Sequence, residues 1–132
     1  MAVRETTVLS SEERDGTTTS DVRGLLVRPS ENHLTVVLDR ASWPTRETDG
    51  KSAPVIECRI YLSLDDGATW SPRPMMFRSH GGPYVNSDGV LVTETWVRVG
   101  PLPHPGSKSR RVRVELDCLA RLATDVRLRL EP

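Results

Sequence analysis

Apolar and polar side chains alternate along several segments of this sequence, and short stretches rich in Pro, Gly, Asp and Ser separate those segments. In Val55–Leu64 the even positions are all apolar: Ile56, Cys58, Ile60, Leu62 and Leu64. A period of two places such residues on one face of an extended strand, whereas an amphipathic helix needs a period of about 3.6. The pattern therefore predicts β-strands with one buried and one solvated face.

The same reasoning predicts the rest of the fold. Five further strands are expected at Val22–Val27, Leu34–Asp39, Val90–Val99, Arg111–Cys118 and Val126–Leu130, and a short returning strand at Met75–Phe77. The one helix candidate, residues 117–124, is short, and we predict a turn there that joins the last two strands. Seven to eight short strands with turns between them predict an all-β fold, an antiparallel β-sandwich of Ig-like or jelly-roll-like type.

The length of 132 residues fits one domain. Residues 6–20 carry only Val8 and Leu9 as apolar side chains. We therefore predict that residues 1–20 form an extended N-terminal arm with one short strand, held by its own domain or by a neighbouring protein. Residues 21–132 are predicted to form the single β-sandwich domain.

Charge and hydropathy exclude two broad classes of function. The 18 basic and 18 acidic side chains give a net charge of zero, whereas a general nucleic-acid binder needs a basic surplus. No apolar run approaches the roughly 20 residues of a membrane-spanning helix. Arg4 and Glu5 stand where a signal peptide would be apolar, so synthesis in a cytoplasm is expected.

The sulfur and arginine content leaves two questions open. Cys58 and Cys118 each lie in an apolar run, which fits either two reduced core thiols or one disulfide bridging two sheets. Of the 18 basic residues, 16 are Arg and 2 are Lys. The base composition of the genome can cause this excess of arginine over lysine. Arginine is also the better interface residue, because its planar guanidinium pairs with carboxylates and stacks on aromatic rings.

The segment Ser63–Trp70 matches the pattern S-x-D-x-G-x-T-W of the Asp box, a motif that resembles the hairpins of sialidase propellers. In such a turn Asp65 accepts backbone N–H groups, Gly67 supplies a positive φ, Thr69 starts the returning strand and Trp70 packs over the turn. The box occurs once here, in a chain too short for those propeller blades. We therefore interpret it as a structural turn, with an Asp-box hydrolase as a third functional alternative.

No arrangement of residues predicts catalysis or a metal site. Asp65 and Asp66 are adjacent in a tight turn and point apart, so they do not form an acid–base pair. A calcium ion at the same turn would need further oxygen ligands at regular spacing. His33, His80 and His104 lie in or beside loops without a matching nucleophile. The sequence predicts a protein that is not an enzyme and that holds no cofactor.

Five residues are candidates for contacts with a partner. Trp43 and Tyr84 lie in predicted loops, where an aromatic ring either covers its own core or contacts another protein. Trp96 lies in a strand and faces either the core or a neighbouring subunit. Arg14 in the arm and Arg46 in the long loop are candidates for ion pairs with partner carboxylates.

Several short motifs also follow one another in a recognisable order. They are Leu9-Ser10 with Arg14 and Thr17–Thr19, Arg23-Gly24-Leu25, Leu38-Asp39, the Asp box Ser63–Trp70, and Arg110–Val114. This order resembles that of small Ig-like β-sandwich proteins among the structural proteins of tailed bacteriophages, in which a DGxTW hairpin and a late RxxRV strand recur. The loop at 40–54 is longer here than in that family.

The resemblance implies a non-enzymatic virion component, either a capsid decoration protein or a neck or tail subunit. Its partners would be the major capsid protein or a tail or neck protein, and copies of itself in a homo-oligomer or symmetric array. It would be made in the host cytoplasm and end in the virion. The alternative is an Ig-like or carbohydrate-binding surface module, in which Trp43, Tyr84 or Trp96 would stack on a sugar ring or anchor a partner.

Overall fold

The structure, a computed structural model, describes residues 2–104, 106 and 108–132. The described chain is all-β. Its strands are β1 (Arg4–Thr19), β2 (Leu25–Val27), β3 (His33–Asp39), β4 (Glu47–Thr48), β5 (Lys51–Ser52), β6 (Pro54–Ser63), β7 (Met75–His80), β8 (Tyr84–Val85), β9 (Leu91–Val92), β10 (Glu94–Pro101) and β11 (Arg110–Glu131). Pro105 and Ser107, in the segment between β10 and β11, lie outside the described residues.

Strand β11 is the centre of the main sheet. Seven strands belong to this antiparallel sheet, in the order β10-β3-β11-β6-β7, with β1 and β2 along the other edge of β11. The first half of β11 pairs with β6 and its second half pairs with β3. Two layers therefore share β11. One layer consists of its first half with β6 and then β7, and the other consists of its second half with β3 and then β10.

The two layers pack against each other around one hydrophobic core. Along β11 the even positions from Val112 to Cys118, and again from Leu122 to Leu130, are buried. All of these except Thr124 join side chains of the neighbouring strands in a single hydrophobic cluster. Strand β3 contributes Leu34, Val36 and Leu38 to it, and β6 contributes Ile56, Cys58 and Ile60. Because this cluster draws residues from both layers, the antiparallel β-sandwich-like fold predicted from the alternating pattern is confirmed.

The turn predicted at residues 117–124 is wrong. Leu119 and Arg121 are exposed while Leu122 and Thr124 are buried, so the alternation continues through this region and β11 is one strand of 22 residues. The pairing of β1 with β11 shifts register at three places. Such β-bulges bend a strand and increase its twist, which allows one long strand to serve both layers without a turn.

The N-terminal segment is also different from the predicted arm with one short strand. Strand β1 has 16 residues and pairs with β11 from Arg4 opposite Leu130 to Thr19 opposite Glu115. Its Leu9 and Arg14 are buried. The sparse apolar content of this segment is explained by its position along the edge of the shared strand, where backbone hydrogen bonds and a few inward side chains hold it.

The two cysteines are free and buried in the same layer. Cys58 on β6 lies opposite Leu116, and Cys118 on β11 lies opposite Ile56, so the thiols are diagonal neighbours on adjacent strands. The alternative of a disulfide bridging two sheets is therefore wrong. Burial raises the pKa of Cys58 to about 12 and that of Cys118 to about 11, which keeps both thiols protonated.

Two small hairpins stand outside the main sheet. Strands β4 and β5 pair within the loop predicted at 40–54, and β8 pairs with β9. The strand predicted at Val90–Val99 is thus divided into β9, which closes this second hairpin, and β10, which joins the main sheet. In the described part of the chain, no helix has the length and hydrophobicity that a membrane crossing requires.

Candidate interaction surface

The described residues contain no cluster of three or more His, Cys, Asp or Glu side chains that could hold a metal ion. The adjacent carboxylates of Asp65 and Asp66 have different partners. Asp65 accepts hydrogen bonds from Thr69, whereas Asp66 forms a 2.7 Å ion pair with Arg111. Each carboxylate is committed to the local structure, so the pair offers no acid–base arrangement here.

The Asp box forms a tight turn between β6 and β7. The Ser63 hydroxyl donates to Asp65 Oδ1 over 2.7 Å, and the Thr69 backbone N–H donates to the same oxygen over 2.8 Å. Gly67 has a φ of 89°, which an L side chain adopts only with strain. The hydrogen bonds from Thr69, with a smaller contribution from Ser63, lower the pKa of Asp65 to about 2. These contacts give Asp65 a structural role.

Trp70 packs its ring back over this turn against the segment before β2. A Cβ added at Gly24 would lie 2.5 Å from Trp70 Cη2, and Gly24 has a φ of +75°. The guanidinium of Arg113 lies 4.8 Å from the centroid of the Trp70 ring and 5.0 Å from that of the Tyr61 ring. Trp70 thus packs against both the Arg113 side chain and Gly24, where the absence of a Cβ leaves room for its ring.

Arginine stacking is general in this protein. Each of the three tryptophans and two tyrosines has an arginine guanidinium over its ring. Arg113 stacks on Tyr61 and Trp70, and Arg129 stacks on Trp96. Arg40 stacks on Trp43 and Tyr84. Part of the arginine content therefore has a structural explanation within the chain, since the guanidinium attracts the face of an aromatic ring.

One side of the sandwich is open, and we call it the open side. It lies between β7 and β10, each of which pairs with a single neighbour in the main sheet. Contacts of Arg40 place the start of β10 beside the end of β7, and a shared cleft places the end of β10 beside the start of β7. The two edge strands therefore face each other across the open side and run in opposite directions.

At the first end of the open side, Arg40 links the end of β7 to the start of β10. Its guanidinium donates to the carbonyl oxygens of His80 over 2.7 Å and Gly82 over 2.9 Å, and to Thr95 Oγ1 over 2.9 Å. It stacks 4.9 Å from the Tyr84 ring. Burial lowers the pKa of Arg40, although arginine remains charged in proteins. One buried side chain thus fixes the segment that leads from β7 into the next hairpin.

That next hairpin, residues 84–92, carries a set of exposed aliphatic side chains; we call it the exposed hairpin. Val85, Val90 and Leu91 are 64%, 57% and 60% exposed. Asn86 Oδ1 accepts the backbone N–H groups of Asp88 and Val90, both over 3.0 Å, which fixes the turn. The hairpin therefore presents apolar surface on a turn of defined shape.

The second end of the open side is an apolar cleft of about 180 Å³. We call it the cleft. Its lining includes Leu34, Ile60, Leu62, Met75, Val99 and Leu102, which come from both layers and from the segment after β10. Arg73 lies at its rim and is exposed. The cleft exists because β7 and β10 have no strand between them to complete the sandwich.

The structure separates the five residues proposed from the sequence as partner contacts. Trp43 is 4% exposed and Arg14 is 6% exposed, so both belong to the interior. Tyr84 and Trp96 are 50% and 53% exposed and keep a free surface. Arg46 is exposed and donates to the Pro54 carbonyl oxygen over 3.2 Å. Only Tyr84 belongs to the open side, while Trp96 lies on the outer face of β10.

Sequence reasoning missed the residues that define this surface. Arg40 follows a strand directly, but nothing in its neighbourhood distinguishes it from the other arginines. Val85, Val90 and Leu91 surround the motif N-S-D-G, which is typical of a hairpin turn. That motif, flanked on both sides by aliphatic residues in an otherwise polar loop, was the signal that could have identified the exposed hairpin.

Comparison with known proteins adds no assignment to this description. The sequence matches no protein-family model and no curated protein. Inferences about function therefore depend on the chain's own residues and on the open side in particular.

Proposed function

We propose that this protein is a non-enzymatic structural subunit of a tailed-phage virion that acts through protein–protein contacts. The observation that carries the proposal is the exposed hairpin. Three aliphatic side chains that are each more than half exposed lie on one short turn. Contiguous apolar surface on a soluble chain is typical of an interaction site, because covering it in a complex removes it from water.

The rigidity of the hairpin supports the same proposal. Its turn is fixed by Asn86, and its first strand is held by the Arg40 stack on Tyr84. A preformed contact surface loses little conformational entropy when a partner binds, which favours stable assembly. The phage context comes from the motif order described above, and it gives the major capsid protein or a neck or tail protein as the partner.

The proposal is tested in particles. Virions assembled with the wild-type chain or with variants are purified on a density gradient, and the chain is quantified by mass spectrometry. We expect the wild-type chain in the particles and at least a tenfold loss for Leu91→Asp, since a buried charge without a partner opposes association. Val22→Asp is the matched control, because Val22 is 72% exposed and lies far along the chain in another loop. Particles that lack the wild-type chain would refute the proposal.

A carbohydrate-binding surface module is the second candidate, and Trp96 favours it. This ring is 53% exposed on the outer face of β10, and Arg129 stacks at 5.4 Å from its centroid. An exposed indole fixed by a neighbouring side chain can stack on a sugar ring. A glycan array probed with the wild-type chain and Trp96→Ala separates the two candidates: sugar binding that Trp96→Ala abolishes supports the module, and its absence favours the virion subunit.

A further inference from the structure

The exposed hairpin and the cleft are chemically complementary. The hairpin offers three exposed aliphatic side chains and one exposed acid, Asp88, at its tip. The cleft is lined by apolar side chains and has an exposed base, Arg73, at its rim. Within the described residues neither Asp88 nor Arg73 forms an ion pair. Each surface therefore has an apolar centre and one charge, and the two charges are opposite.

The sizes also match. A cleft of about 180 Å³ has room for one or two aliphatic side chains, since a dry cavity of roughly 150 Å³ accepts a benzene molecule. The hairpin presents Val85 and Leu91 as a directly opposed cross-strand pair, with Val90 next to them. A turn of this width can place one aliphatic side chain in the cleft while its flanks contact the edges of β7 and β10.

The two surfaces lie at opposite ends of the open side. The hairpin leads into the start of β10, near Thr95, whereas the cleft lies at its end, near Pro101. Six residues of extended strand separate these positions by about 20 Å. In the structure the hairpin is exposed and the cleft is open, so the hairpin does not occupy the cleft of its own chain.

We propose that the exposed hairpin of one copy of this chain inserts into the cleft of a second copy, with Asp88 of the first beside Arg73 of the second. This inference rests on the proposed function as an assembly subunit and identifies the chain itself as a partner. The two contact surfaces differ, so insertion in one direction repeats into a ring or a filament, whereas reciprocal insertion closes a two-fold dimer.

The first experiment measures the mass of the full-length chain by light scattering over a range of concentrations. We expect the wild-type mass to rise above that of one chain, and Leu91→Asp and Met75→Asp each to raise the dissociation constant at least tenfold. Met75 is 51% exposed at the cleft, so its replacement leaves the core intact. Val22→Asp is expected to behave as the wild type. A wild-type chain that stays monomeric throughout would overturn the inference.

The second experiment mixes the two blocked variants. Leu91→Asp keeps an intact cleft and Met75→Asp keeps an intact hairpin, so one intact interface remains in the mixture. We expect a complex of two chains in a 1:1 ratio, which neither variant forms alone. If the hairpin instead contacted the hairpin of the second copy, mixing the variants would restore no intact interface, so the absence of this complex would overturn the pairing of hairpin with cleft.

The third experiment exchanges the charges. Asp88→Arg and Arg73→Asp should each weaken self-association, and the chain carrying both changes should recover it, because the opposite charges then meet again in reversed order. Both residues are exposed, so folding is expected to be unchanged, and the melting temperature of each variant checks this. If the doubly changed chain associated even more weakly than either single variant, so that the two losses in binding free energy simply added, the proposed pairing of Asp88 with Arg73 would be overturned.

The results separate this inference from the proposed function. A chain that is monomeric in all forms but present in purified virions would refute self-assembly and keep the virion role. A chain that forms the expected mixed complex but is absent from virions would support the interface and refute the virion role.

Discussion

Arg40 Nη2 donates a 2.7 Å hydrogen bond to the carbonyl oxygen of His80, and this contact joins the two layers across the open side. Arg40 follows β3 in one layer, while His80 ends β7 in the other. A carbonyl at the free edge of a strand has no neighbouring strand to satisfy it, so the guanidinium replaces part of the missing pairing. The arginine thereby acts as a structural substitute for an absent strand.

Replacing Arg40 should destabilise the fold strongly. We expect Arg40→Ala to lower the free energy of unfolding by about 2–4 kcal/mol, because it leaves the Gly82 carbonyl buried without its donor, removes the bond to the His80 carbonyl and removes two ring contacts. The control Arg46→Ala removes one exposed hydrogen bond and should cost no more than about 0.5 kcal/mol. Chemical denaturation measures both values, and equal effects of the two changes would contradict the role assigned to Arg40.

Deleting residues 2–20 should prevent folding. The deletion removes β1, which pairs with β11 along most of its length, and it removes the buried side chains of Leu9 and Arg14. Circular dichroism of the shortened chain is expected to show an unfolded spectrum. Deleting only residues 2 and 3, which precede β1, is the control and should leave the melting temperature nearly unchanged. A folded chain without β1 would show that the pairing of β1 with β11 is dispensable.

Asp65 should make stability depend on pH in the acid range. Its folded-state pKa is about 2, below the ordinary value of 3.8. A carboxylate whose pKa is lowered by folding stabilises the native state above its unfolded pKa, and this stabilisation is lost as the pH falls from 3.8 towards 2. We therefore expect the melting temperature of Asp65→Asn to lie below that of the wild type at neutral pH. The difference between the two melting temperatures should shrink as the pH approaches 2.

The control for Asp65 is Asp49→Asn, which changes an exposed aspartate in the turn between β4 and β5. Its melting temperature should follow the wild type across the whole range. Curves for Asp65→Asn and the wild type that stay parallel down to the lowest pH would show that the ionised Asp65 carboxylate does not hold the Asp-box turn.

The buried thiols should resist modification until the chain unfolds. Because burial raises the pKa of Cys58 and Cys118, almost no thiolate is present in the native state at mildly alkaline pH. We expect slow reaction of the native chain with an aromatic disulfide reagent, and two reactive thiols per chain after denaturation without reductant. Denatured chain that shows no free thiol would indicate a disulfide and contradict the structure.

The strands that could be predicted from the sequence are those in which apolar and polar side chains alternate within the strand itself. The alternation in Val55–Leu64 and in Arg111–Cys118 reflects burial of one face, and both segments are strands in the structure. The limits of this signal appear within the first segment, where Leu64 is 40% exposed and Ser63 is buried. There the chain leaves the strand and enters the turn, so the Asp box rather than hydropathy decides which side chains face inward.

The remaining features depend on distant parts of the chain. Strand β1 has little apolar content, and its conformation comes from pairing with residues more than 90 positions away. The turn predicted at 117–124 is absent because β-bulges along the β1–β11 pairing bend the paired strands gradually. The roles of Arg40 and of the cleft depend on which strands form the edges of the sheet, a property of topology that no local pattern contains.

The central position of β11 has a consequence for biosynthesis. This strand pairs with β1, β2, β3 and β6, yet it follows all of them in the chain. During translation none of those strands gains its central neighbour until residues 110–131 have left the ribosome, so the sheet cannot be completed progressively. Contacts this remote in sequence slow folding, to milliseconds or seconds in comparable β-proteins. The nascent chain therefore exposes the apolar side chains of these earlier strands until β11 has been synthesised, and exposed strands of this kind are prone to aggregate.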